Sequence, residues 1–200
     1  QRKWLSYYPD NGTLRRELYP KHVAFFTAGV KYQQRLFMAA NRVGKTEGVG
    51  AYEVSLHLTG QYPKWWPGRR FAECTRGWAA GDTRQTVRDI LAEKLLGPKD
   101  ARGTGMIPGE QILRIVPQPG VPDGVEAVFV RHVGGGVSRL GFKSFDQGRL
   151  PFQGTEQHFV WLDEEPPADV YEECLTRIAT TNGLMLLTFT PLSGLSDVVL

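Results

Sequence analysis

Short apolar runs alternate along this chain with longer amphipathic stretches, and the pattern predicts strands interleaved with helices. Arg35 to Ala39 predicts a strand, and Thr46 to Leu58 a helix that carries Val49, Tyr52, Val54, Leu56 and Leu58 before the Thr59-Gly60 stop. Gly77 to Ala80 predicts a small-residue strand, and Thr83 to Leu96 a helix capped by Asp82 or Thr83. Ile112 to Val116, Ala127 to Val133 and Leu140 to Phe145 follow as strands, joined by the turn-forming stretches PQPGVPDG and GGGVS. HFVWLDEEPP closes an apolar strand with acids, Ala168 to Ile178 predicts a helix, and Leu184 to Thr190 a last strand. YPKWWPGRRF and Gly97 to Gly109 are connections, and no internal repeat or low-complexity tract is present. Such alternation implies an α/β fold with a mainly parallel central sheet flanked by helices.

Bulk properties narrow this picture only a little. Two hundred residues with 41% hydrophobic content suffice for a single domain with a sizeable core. The expected layout is a lead-in over residues 1–30 and a core over 31–200. The chain begins at Gln1 and stops at LSDVVL, where an apolar segment starts, so one domain of a longer protein is expected. A net charge of +3 and a pI near 8.9 permit a nucleic-acid partner without requiring one. Cys74 and Cys174 form no C-x-x-C pair, and no His/Cys cluster has zinc-ligand spacing, so a reducing cytoplasm is expected. No apolar run approaches the roughly 20 residues of a membrane span, and the N-terminus has no signal-peptide core.

The stretch FMAANRVGKTEGVG carries the first candidate chemistry. A phosphate-binding loop reads G-x-x-x-x-G-K-[ST]; Gly44, Lys45 and Thr46 fill its last three places, while Ala39 stands where the first Gly belongs. Such a loop works because backbone N–H groups and a helix N-terminus converge on phosphate oxygens. The context fits, with a strand before the loop and a helix after it. Lys45 can then reach the β- and γ-phosphates, and Thr46 can hold Mg²⁺. The other reading is a chance Gly-Lys-Thr at a helix start.

FVWLDEE delivers Asp163 and Glu164 to the C-terminal end of an apolar strand, the end at which open α/β sheets bind ligands. Asp163 would hold magnesium through water and Glu164 would polarise an attacking water. Read alone, the same acids suit the N-terminus of the following helix. LLTFTP adds Thr188 and Thr190, hydroxyls that would emerge beside the γ-phosphate if their strand neighbours that of Asp163. Read alone, it is a buried strand with incidental threonines.

Together, AANRVGKTE, FKSFDQGRLPFQGT, VWLDEEPPADVYEECLTR and LLTFTPLSGLSD resemble the ATPase domain of the large terminase subunit of tailed bacteriophages, over about residues 20–197. The resemblance implies a P-loop NTPase fold of the RecA-like, catalytic-glutamate class, with a deviant loop formed by Ala39, Ala40, Asn41, Arg42, Val43, Gly44, Lys45 and Thr46. It implies ATP and Mg²⁺ as cofactors, Lys45 and Thr46 on phosphates and metal, Asp163 as the metal-side acid and Glu164 as the catalytic glutamate. Thr188 to Pro191 would couple hydrolysis to DNA movement.

The implied setting is the host cytoplasm at the procapsid portal. Double-stranded DNA, the portal protein and the small terminase subunit are the implied partners, with self-association into a ring and no membrane. The implied nuclease domain would lie C-terminal to this chain. Gln33 and Gln34, just upstream of the loop, are candidate adenine contacts. Arg149, Arg42 and Arg139 are candidate arginine fingers, Arg149 foremost. Arg69, Arg70, Arg76, Arg84, Arg88, Lys99 and Arg102, interleaved with Trp65, Trp66 and Trp78, would give a face that tracks phosphates. Alternatives are a helicase-like DNA remodeller and a nucleotide sensor that does not hydrolyse; Glu164 argues against the sensor.

Overall fold

The computed structural model describes residues 2–40, 44–191 and 198. Its centre is a seven-stranded sheet in the order β1-β7-β6-β2-β5-β4-β3, made of β1 (Gln34–Met38), β2 (Arg76–Gly81), β3 (Ile112–Pro117), β4 (Val125–Arg131), β5 (Val137–Ser144), β6 (Phe159–Leu162) and β7 (Leu184–Phe189). β1, β7, β6, β2 and β5 run parallel, and β4 and β3 extend the sheet antiparallel at one edge. Every residue of β6 and β7 is buried, which is why both read as near-continuous apolar runs, broken only by Thr188, rather than alternating ones.

One face of the sheet carries the helix of residues 45–59, the helix of residues 84–96, and Pro20–Ala28 from the lead-in. The sequence pattern alone leaves that segment as a lead-in with no assigned element. Pro20 at the first turn and the buried His22, Phe25 and Phe26 side turn it into a packed helix. The other face is covered by the helix Ala168–Ala179, which buries Val170, Cys174 and Ile178, and by the turn Leu150–Phe152.

The helix after the loop is buried from Gly48 to Thr59, polar positions included. Its polar groups are partnered. Glu53 accepts from Arg35 Nη2 at 2.6 Å and Nη1 at 3.1 Å and lies 3.0 Å from His57 Nε2, while Ser55 donates to Met106 O at 3.0 Å. Gly50 faces the Trp161 ring so closely that an added Cβ would stand 2.2 Å from it, so only glycine lets this helix lie on β6. Thr83, rather than Asp82, caps the helix of residues 84–96: its Oγ1 accepts from Thr86 N at 3.1 Å and Thr86 Oγ1 accepts from Thr83 N at 3.0 Å. Among the described residues, no helix is long and apolar enough to cross a membrane.

Candidate functional site

β7 lies between β1 and β6, so the loop, the threonine strand and the acid strand end side by side at the C-terminal edge of the parallel sheet. Gly44 opens the loop helix with φ +77°, a left-handed conformation that glycine adopts freely, and its carbonyl accepts from Gly48 N at 2.7 Å. Lys45 Nζ donates to Thr190 Oγ1 at 2.8 Å, and Thr190 Oγ1 donates to Ala39 O at 2.8 Å. The loop lysine is thus tied through the threonine strand back to the loop's own entry. Asn41, Arg42 and Val43 lie outside the described residues, as do residues 192–197.

Thr46 Oγ1 stands 3.0 Å from Asp163 Oδ1 and 3.1 Å from Oδ2. Thr188 Oγ1 donates to the same Oδ1 at 2.6 Å, and Trp161 Nε1 donates to Thr188 Oγ1 at 2.8 Å. A buried relay therefore runs from the indole through Thr188 to the carboxylate that meets the loop threonine. Trp161 enters this relay from the strand interior; its aromatic, β-favouring character marks it in the sequence only as core.

Asp163 is 5% exposed, and burial pushes its carboxyl up to about 7 despite the hydroxyl donors Thr188 and Thr46; neighbouring Glu164 adds to the rise and Lys45 opposes it. Glu164 is half-buried and also raised, by burial first, with Lys45 opposing and Asp82 reinforcing. Asp82, just after β2, is a neighbour that the sequence marks only as a helix-cap candidate. A hydroxyl and a carboxylate form an oxygen-only pair that suits Mg²⁺, a cation that leaves its other positions to phosphate and water. Among the described residues, no group of three or more His, Cys, Asp and Glu forms a protein-built metal cage.

Other expected residues lie elsewhere. Gln33 and Gln34 sit at the N-terminal end of β1, the opposite end from the loop, where Gln33 Nε2 donates to Asn182 Oδ1 at 2.7 Å and Gln34 accepts from Tyr171. A strand of this length separates them from the loop by about 15 Å, so an adenine contact by either does not fit. Arg139, near the start of β5, likewise stands at the end away from Asp163. Arg149 is exposed beside the helix of Glu173, its Nε 3.9 Å from that carboxylate.

The expected phosphate-tracking face divides. Arg69, Arg70 and Arg76 lie toward the N-terminal strand ends, Arg84 and Arg88 follow β2 at its C-terminal end, and Lys99 pairs with Asp123 in the β3–β4 hairpin at 2.8 Å. Arg102 donates to Gly97 O at 2.6 Å. Trp66 and Trp78 are core residues, and Trp65 packs against that core with Arg16 over its ring.

Sequence reading misses a cavity of about 310 Å³ beside the loop helix, lined by Tyr7, Tyr8, Tyr19, His22, Gly44 and Glu47 among others. An adjoining groove of about 620 Å³ runs from Tyr19 and His22 past Phe37 to Ala39 and Ala40. The signal is present in the aromatic-rich SYYPDNG and the Pro20 helix start, within the segment that reads as lead-in.

Comparisons with known proteins agree on this architecture. A family model described as terminase large subunit, T4-like-virus type, N-terminal, matches residues 36–200. The large terminase subunit of Salmonella phage P22 is 41% identical over 201 aligned residues, covering 90% of this chain and 40% of that protein. The chain thus spans about two-fifths of the curated relative's length. The large terminase of a thermophilic bacteriophage superposes with TM-score 0.59 at 12% identity, over 85% of this chain and 37% of that one. The same thermophilic terminase in complex with ADP gives TM-score 0.54 at 12% identity, over 85% and 37%. At such identity the structural likeness concerns the fold alone.

Proposed function

This chain belongs to the T4-like-virus-type family of terminase large subunits, in its N-terminal part, and from that membership we propose that it hydrolyses ATP to drive double-stranded DNA into a capsid. The observation that carries the reading is the convergence of Lys45, Thr46, Asp163 and Thr190 at one sheet edge, with Thr46 3.0 Å from Asp163 and Lys45 2.8 Å from Thr190. The thermophilic phage terminase that shares this fold is described in complex with ADP, which supports nucleotide binding by this chain.

Lys45 would turn from Thr190 to neutralise phosphate charge, and Thr46 with Asp163 would hold Mg²⁺. When bound, that ion neutralises charge on the transferring phosphoryl group. Glu164, next to Asp163 and near enough to Lys45 to feel its charge, has a raised pKa, which suits it to take a proton from an attacking water at neutral pH. Thr188 and Thr190 link the two halves of the site along β7, and hydrolysis would reach the DNA-moving parts through that strand.

The aromatic cavity formed by Tyr8, Tyr19 and His22 beside the loop helix would hold the nucleobase. Arg149, exposed on the β5–β6 crossover, is the arginine finger offered to a neighbouring subunit in a ring, with Arg42 as the alternative in the same chain. The portal protein and the small terminase subunit would complete the assembly.

ATP titration and phosphate release test this reading. Lys45→Ala is expected to abolish nucleotide binding, because the lysine meets charge already present in the ground state. Glu164→Gln is expected to keep binding and lose turnover by about 10²- to 10⁴-fold, since it acts on the water. Normal hydrolysis by Glu164→Gln would move the base elsewhere. Stimulation of turnover by duplex DNA tests the coupling.

A further inference from the structure

The antiparallel extension β3–β4–β5 has one face without a cover. The buried cluster on that side is built from β2, β6, β7, the helix Ala168–Ala179 and its preceding turn, and includes no residue of β3, β4 or β5. Strand register brings one row of side chains across this open face: Arg114 opposite Phe129, Phe129 opposite Arg139, and Arg139 opposite Arg76. The guanidiniums of Arg114 and Arg139 each stand 6.0 Å from the Phe129 ring centre, one on either flank. Arg131 is exposed two residues further along β4, and Lys143 lies on the same side, close enough to Arg139 to feel its charge.

The row is also short of counter-charge. Arg16, Arg35, Arg88 and Arg177 each hold a carboxylate. Among the described residues, Arg76, Arg114, Arg131 and Arg139 hold none. Like charges directly opposite on neighbouring strands destabilise a sheet, and Arg76 and Arg139 are such a pair. A fold that keeps them so, with Glu126 as the acid felt at the Lys143 end, presents a surface complementary to a polyanion.

We propose that the row Arg114–Phe129–Arg139–Arg76 is a docking surface for the sugar–phosphate backbone of duplex DNA. The proposal rests on the packaging function argued above and names the surface through which the substrate is held. At one strand spacing per step the row spans about 14 Å, a length over which a duplex presents about eight phosphates counting both strands. Both flanks of Phe129 are taken up by guanidiniums, so its ring acts as a spacer between them rather than as a platform for stacking bases. That favours backbone contact with duplex over single strand, without sequence preference. The row stands at the N-terminal ends of β2 and β5, and the nucleotide site at the C-terminal sheet edge, so β2 runs directly from one to the other.

The test measures binding of this chain to a random-sequence duplex by fluorescence anisotropy across a salt series. The variants are the triple Arg76→Gln/Arg114→Gln/Arg139→Gln, the triple to Lys, the single Arg114→Gln and, outside the row, Arg15→Gln. The triple Gln variant is expected to lose at least about tenfold in affinity at low salt, and the slope of log K against log salt to shrink by about 2 to 3. The Lys triple should keep most of that slope, Arg114→Gln should reduce it by about 1, and Arg15→Gln should match the wild type. A wild type that binds duplex with a slope unchanged in both the triple Gln and Arg114→Gln variants would overturn the surface while leaving the packaging reading intact. Loss of slope in the Lys triple, or a change in sedimentation rather than in DNA binding, would replace it with a packing or subunit contact. A wild type that binds no duplex, and whose ATP turnover duplex does not alter, would overturn both readings. Should the triple variants melt early, Arg114→Gln on the edge strand decides alone.

Discussion

Asp163 concentrates the energetic tension of the site in one residue. It is buried at the end of β6 with two hydroxyls donating toward it, yet desolvation outweighs them and holds its carboxyl near 7. Unfolded, the same group titrates near 3.8. Between those values the native state carries the extra proton, so stability falls as pH rises from about 4 to about 7 and then levels off. Asp163→Asn removes this titration. Its stability relative to wild type is therefore expected to improve across that window, by an amount on the order of 4 kcal/mol. Urea denaturation of both proteins at several pH values checks this; parallel pH profiles would refute it. Mg²⁺ needs the ionised form, so stabilisation by Mg²⁺ and ATP should grow over the same range.

The helix that follows the loop owes its position to two contacts at the scale of the element. Gly50 lets it lie against Trp161, and the buried pair Arg35–Glu53 ties it to β1. Burial alone would raise the Glu53 pKa, but Arg35 and His57 bring it below the usual carboxylate range. Glu53→Ala leaves a buried guanidinium with no carboxylate and is expected to cost about 3–5 kcal/mol, read from the denaturation midpoint. Because this helix carries Lys45 and Thr46 at its start, nucleotide affinity should fall with it. A stable Glu53→Ala chain with unaltered affinity would show that the helix is held elsewhere. Helix and strand positions follow from periodicity, and the observed bounds lie within a few residues of those expected. The exception is Pro20–Ala28, whose short pattern becomes a helix only because Phe25 and Phe26 find a core to enter.

At the scale of the whole molecule, the nucleotide edge and the exposed crossover of Arg149 suit assembly side by side. Arg149 pairs loosely with Glu173 and is half-exposed, free to reach a neighbour's phosphate. Mixing Arg149→Ala subunits, whose own sites are intact, with Glu164→Gln subunits, whose fingers are intact, is expected to restore part of the ATPase activity under assembling conditions. A finger supplied in trans is worth about 10³ to 10⁵ in rate, so the recovery should be plain. A mixture that stays inactive, together with an Arg42→Ala chain inactive alone and assembled, would assign the finger to the same chain.

The sequence by itself singled out the candidate residues: Gly44, Lys45, Thr46, Asp163, Glu164 and the threonines sit in local strand–loop and strand–acid contexts that spacing and apolar runs encode directly. It also determined the α/β class, because period and turn residues are local properties of the chain. Strand order belonged to the tertiary structure alone. Insertion of β7 between β1 and β6 makes Thr188 and Thr190 bridge the loop and the acids. Register likewise assembled Arg76, Arg114 and Arg139 from three strands, and scattered the basic residues that look clustered between positions 64 and 102. The physical reason is common to both: which strands become neighbours depends on how two faces of apolar surface are buried at once, a balance over the whole chain that no local pattern records.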